Sequence, residues 1–128
     1  MMNQVNRVEF LGKKYPVNFS AWVLEQITAR WGGLSKMQET LTKSEDPCER
    51  LSGTLFLMHC LLTAGSAYAT VMGEADIPSV PELELLTMAV PLSELKTVQT
   101  AAFAAMGAAT KTSIEVEQGK NTAATLGQ

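Results

Sequence analysis

His59 and Cys60 are the one adjacent pair whose side chains could ligate a metal or act as base and nucleophile. Successive helical residues diverge by about 100°. The chain supplies neither a second histidine nor a Cys-x-x-Cys pair to complete a zinc set or a Cys–His dyad. The spacing favours a core thiol beside a histidine at a packing edge. Glu82 with Glu84, and Glu115 with Glu117, sit two apart and point to different sides of a helix, which suits solvated faces better than paired acid–base carboxylates. Gly32-Gly33 is followed by neither the Lys-Ser/Thr of a phosphate loop nor dinucleotide-type spacing, so it reads as a helix stop. No catalytic, cofactor-binding or metal-binding residue is expected.

Binding chemistry is a different matter. Of the seven methionines, Met37, Met58, Met72 and Met106 fall on inward stripes of expected helices and read as core filling. Trp22 does not. On a helix whose inward stripe is Val23, Leu24, Ile27 and Trp31, it projects to the far side with Glu25, Gln26 and Ala29. Either another element covers it or it anchors a partner. Phe103 likewise lies off the stripe Leu95, Val98, Ala102 of an Ala-rich helix, whose small side chains allow close helix approach. Trp22 and Phe103 are the candidate partner-binding residues, with self-association into a homo-oligomer as the competing use of the same surfaces.

The element that must position them is the stretch from Asp46 to Met72. Leu51, Leu55, Met58, Leu62, Gly65, Ala69 and Met72 recur at steps of four and three, and Phe56, Leu57, Leu61, Tyr68 and Val71 fill the neighbouring faces. A helix apolar on nearly every side is a domain core or a membrane span. Ser52, Thr54, His59, Thr63 and Ser66 interrupt the apolar run, leaving Leu55–Leu62 far short of the roughly 20 residues a bilayer needs. A buried core helix, not a membrane contact, is the expectation. Asp46 as cap, Pro47 at the first position and Glu49 at the third make its start signal strong.

Ahead of it, residues 5–19 read as a hairpin turning at Gly12-Lys13, with Phe10 opposite Tyr15, Val8 opposite Val17, and Pro16 opposite Glu9 on a free edge. Ser20 caps the next helix, with Phe19 stapled on Leu24, and Gly32 ends it. Ser35 to Gln38 has capping-box spacing for a short helix that buries Met37 and Leu41, and residues 42–46 form a polar linker. After Gly73, three prolines leave room for a short helix over 80–89 burying Leu83 and Leu86, and a last long helix starts near Leu92. The fold class is mainly α: a small helical domain around one central apolar helix, with a minor β part in the N-terminal hairpin. Residues 1–116 are expected as that single domain and residues 117–128 as a disordered tail.

At 128 residues one domain with its own core is expected. A formal net charge of -3, with scattered lysines and arginines, leaves no footprint for gripping phosphates, so nucleic acid is not an expected partner. Cys48 and Cys60 lie about 18 Å apart along one helix at 1.5 Å per residue, too far to pair, and read as free thiols of a reducing compartment. The first residues lack the basic start and apolar core of a signal peptide, which points to the cytoplasm.

The run Leu11-Gly-Lys-Lys-Tyr-Pro-Val-Asn-Phe19, the helix ending Arg30-Trp-Gly-Gly33, and the short helix that follows to Leu41 resemble the tail assembly chaperones of long-tailed phages and prophages. The pattern covers about the first third of the chain, and the helical remainder is similar in architecture only. The resemblance implies a non-enzymatic assembly factor of the host cytoplasm that binds the tape measure protein, keeps it soluble and helps recruit tail tube subunits. It also implies expression in two lengths, the longer through a ribosomal frameshift. Gly119-Lys120 is where a slippery run of G and A would fit. It supplies no catalytic residue. A helical adaptor or regulator of a mobile element, and an enzyme subunit completed by a partner, are the rival readings.

Overall fold

The computed structural model describes residues 5–107. Strands β1 (Asn6–Phe10) and β2 (Lys13–Val17) form an antiparallel hairpin, followed by α1 (Ala21–Trp31), α2 (Leu34–Lys43), α3 (Pro47–Val71) and α4 (Leu83–Ala89). A 3-10 turn over Leu92–Glu94 then leads into a fifth helix, α5, described over residues 95–107. The fold is mainly α with a minor β part, as the periodicities require. The expected tail over 117–128, Glu115, Glu117 and Gly119-Lys120 lie outside the described residues.

α3 is the core element. Asp46 caps it, accepting from the Cys48 N–H at 3.0 Å, and the Ser44 hydroxyl donates to Glu49 at 2.8 Å to brace the same turn. Strand β2 and helices α1, α2 and α4 all pack on it. Leu55, Leu57, Met58, Leu61 and Leu62 are fully buried. Its length and hydropathy would also suit a membrane span; here it is the core helix of a packed fold.

Two glycines set how closely its neighbours approach. At Gly65 an added Cβ would run into the Pro16 carbonyl and the Val17 Cα, so the backbone of β2 lies directly on the helix. Next to that contact, the Asn18 N–H donates to the Leu61 carbonyl at 3.2 Å. At Gly53 a Cβ would come within 2.6 Å of Leu41 Cδ2, which seats α2. Trp31 meets Phe56 edge-on at 5.8 Å, with Arg30 over both rings at 5.2 and 4.7 Å, pinning the end of α1.

α5 is tied in by Gln99, whose amide donates to the Leu41 carbonyl at 2.8 Å and reaches the Thr54 hydroxyl at 3.5 Å. Leu41 belongs to the last turn of α2, whose carbonyls have no helical partner, and Thr54 is fully buried. One side chain thus satisfies two groups that would otherwise be left without partners. Val98, Ala102 and Met106 bury the inward stripe of α5.

Several expectations are corrected. The hairpin pairs Val8 with Tyr15, Phe10 with Lys13 and Arg7 with Pro16, a two-residue shift in register. Its turn is Leu11-Gly12, with φ of 54° and 80°, the pair of positive values a type I′ turn requires. An even shift leaves Val8, Phe10, Tyr15 and Val17 on one face. Leu11 sits in left-handed backbone at a cost of roughly 1–2 kcal/mol, which the burial of Phe10, Tyr15 and Val17 must offset. Pro16 is buried, because helix α3 covers the side where the sequence suggested a free edge.

Ser35 does not cap α2. Gly33 holds that position without a side-chain bond, and Ser35 lies inside the first turn. The helix also runs on to Lys43, so the linker is shorter than the polar composition implies. Leu24 is 42% exposed rather than inward, since only Val23 and Ile27 of α1 face the core fully. Met72 and Val71, at the end of α3, are exposed rather than inward. The connector helix begins at Leu83, three residues later than expected, with Leu86 buried and Leu83 half-buried.

Replacing Gly65 by Ala should destabilise the protein by at least the roughly 1–3 kcal/mol typical of overpacking, because backbone rather than a flexible side chain must yield. Leu55→Ala and Leu62→Ala should each cost about 2–5 kcal/mol. Urea unfolding measures all three, and parental midpoints for Gly65→Ala would mean that β2 does not seat there.

Candidate functional site

His59 and Cys60 are near neighbours without being a site. Burial pushes the Cys60 thiol up to about 11, with the Arg30 guanidinium pulling weakly the other way. A thiol held protonated at neutral pH is a poor nucleophile. His59 is half-buried, and desolvation lowers its pKa, partly countered by a backbone hydrogen bond to Pro81. Cys48 is exposed at the start of α3, and both cysteines are free thiols. Among the described residues no three His, Cys, Asp or Glu side chains converge as a metal set.

The feature with chemistry to offer is a groove of about 450 Å³ between the start of α1 and the C-terminal half of α3. Thr63, Ala67 and Val71 recur every four residues on one side of α3, with Ala64 and Tyr68 beside them. Ala64 and Ala67 keep the floor low, while Tyr68, Val71 and Trp22 form the walls. Asn18 and Ser20, in the link between β2 and α1, close one end. Among the described residues its lining holds no charge. Val71 is 81% and Trp22 43% exposed, so the walls stand open to solvent.

The local sequence explains why Trp22 is there. Ser20 caps α1 through a 3.4 Å bond from the Val23 N–H, which fixes the first turn with Val23 inward and Trp22 turned toward α3. The Asn18–Leu61 hydrogen bond anchors the lead-in to that cap on the same helix. Trp22, singled out by its position off the inward stripe, is therefore part of a groove. Phe103 is not: it is half-buried against the core on α5 and does not line that groove. The sequence reading missed the small-residue floor, because α3 there looked uniformly apolar. Alanines spaced between Thr63, Tyr68 and Val71 were the available signal.

No protein-family model, curated protein or solved structure matches this chain. The chemistry of the groove therefore rests on its own residues: an uncharged, mostly apolar concavity with two amphipathic rings, Trp22 and Tyr68, at its walls, suited to apolar side chains of a polypeptide and unsuited to phosphate or metal.

His59 makes stability pH-dependent in a definite direction. Its folded pKa lies below the unfolded value of 6.5, so the unfolded chain binds the proton more tightly. The contribution is complete above the unfolded pKa and is lost as pH falls through and below it. Urea midpoints measured from about pH 7.5 to about pH 5 should fall for the parent and fall less for His59→Gln. Parallel profiles would remove His59 as a source of the dependence.

Proposed function

We propose that the chain is a non-enzymatic tail assembly chaperone of a long-tailed phage or prophage. It works in the host cytoplasm, binding the tape measure protein and helping to recruit tail tube subunits. The resemblance of residues 11–41 to that family motivates the reading. The observation that carries it is the open, uncharged groove walled by Trp22, Tyr68 and Val71. A chaperone for a long helical client must cover apolar side chains reversibly. A bare concavity with small residues in its floor accepts the i, i+4, i+7 anchors of a helix without demanding one particular polar partner. A large exposed aromatic such as Trp22 at such a wall is the kind of residue most often responsible for affinity.

Co-expression with the tape measure protein encoded next to it should recover a soluble complex. Trp22→Ser should weaken that complex about tenfold or more, a loss of about 1.4 kcal/mol or more, while leaving the melting temperature near that of the parent. Phe103→Ser, by contrast, should lower stability, because Phe103 packs against the core. A Trp22→Ser protein that folds and binds the tape measure protein as the parent does would remove the groove from the mechanism.

The two-length expression implied by the resemblance has a separate test in the coding DNA. Gly119-Lys120 should be encoded by a slippery run of G and A, with an overlapping frame that extends the protein. Sequencing that finds mixed codons and no overlapping frame would count against a frameshifted long form.

A further inference from the structure

Among the described residues, one edge of the hairpin is left open. Phe10 and Lys13 flank the two-residue turn, and hydrogen-bonded pairs alternate from there along the ladder. Val8 therefore bonds to Tyr15, while Arg7 and Glu9 aim their backbone N–H and C=O groups away from β2. Both residues are exposed, and among the described residues no backbone hydrogen bond from another segment reaches either. The guanidinium of Arg7 meets Glu74, a contact that uses the side chain alone. The opposite edge is closed: Pro16 has no N–H, and its carbonyl lies on Gly65 of α3.

Helix α5 runs beside the open edge. A hollow of about 190 Å³ separates the first residues of β1 from Ala101, Ala104 and Ala105. A second, of about 280 Å³, shares Ala101 and continues past Glu9 to the turn. The alanines leave room for side chains brought in from elsewhere. Ala104 and Ala105 stand by the start of β1 and Thr97 by its end, so α5 runs opposite to β1. The chain thus passes Gly107 at the Asn6 end of this groove.

An open strand edge takes extended backbone, which supplies donors and acceptors at strand spacing. The sequence after Gly107 has the matching pattern. Thr110, Thr112, Ile114 and Val116 are β-branched at every second position, with Lys111, Ser113, Glu115 and Glu117 between them. We infer that residues 110–117 seat on the free edge of β1 as a third strand, parallel to it, with Ile114 and Val116 over the alanines of α5. The direction follows from reach. An antiparallel strand would have to begin at the hairpin tip, about 17 Å along β1, whereas the link from Gly107 to Thr110 spans at most about 10 Å. The added strand covers an edge that would otherwise be offered to other chains. This surface is not the Trp22 groove, and the inference is independent of the tail-assembly reading.

Amide hydrogen exchange on the full chain, read residue by residue by NMR, tests it. The Arg7 and Glu9 amides should exchange about tenfold or more slowly than in an Ile114→Asp/Val116→Asp variant. Cross-strand contacts should join β1 to residues 112–116 in parallel order. Ser113→Ala and Glu117→Gln, on the other face of the strand, should keep the protection, and the Leu57 and Leu61 amides of α3 should stay protected in every variant. Arg7 and Glu9 amides that exchange freely in the full chain would overturn the inference, as would protection that survives Ile114→Asp/Val116→Asp, or contacts in antiparallel order. Protection lost on dilution, with a dimer in sedimentation, would assign the edge to a second copy and equally overturn it.

Discussion

The structure depends on backbone lying directly on backbone where β2 crosses α3. A helix normally keeps its neighbours at side-chain distance, but Gly65 removes the Cβ that would meet Pro16 and Val17. Strand and helix close to direct contact, and Asn18 then reaches the Leu61 carbonyl. A two-stranded hairpin is marginal alone in water, and here its apolar face is completed by the central helix. The same contact fixes where the chain leaves β2, hence where Ser20 starts α1 and on which side of α3 Trp22 stands.

Close approach recurs at Gly53, where Leu41 of α2 fills the space a side chain would take. These two glycines let α3 serve as a core helix with neighbours on several sides. Polar groups drawn into this tight packing need partners. Gln99 supplies them for Thr54 and for the last turn of α2, coupling three elements that are distant in sequence. Arg7 pairs with Glu74 across the surface, joining β1 to the segment just past α3; such an exposed pair orients more than it stabilises.

Because the middle of α3 is covered, its two ends are where apolar surface remains. The C-terminal half, past the hairpin, shows an uncharged groove walled by Trp22. The N-terminal half, beside the end of α4, lines a shallower groove through Leu51 and Leu55.

Much of the secondary structure was legible in the sequence because it is specified locally. Asp46-Pro47 and Ser20 announce helix starts, Gly32 with φ of 95° ends α1, and the step of three and four along Leu51, Leu55, Met58 and Leu62 marks the core helix. Trp22 could be singled out because a helix of known inward face leaves its other side computable. Other features were decided only in three dimensions. The hairpin register moved by two because alternation specifies a face and not a partner, and both registers put Val8, Phe10, Tyr15 and Val17 together. Ser35 had the spacing of a cap, yet Gly33 already occupied that position. Leu24, Val71 and Met72 look like core residues by type, but a helix buries only the faces that neighbours happen to reach. The Trp22 groove belongs to this second class, since it is lined from segments distant in the chain and takes shape only where the link after β2 settles on α3.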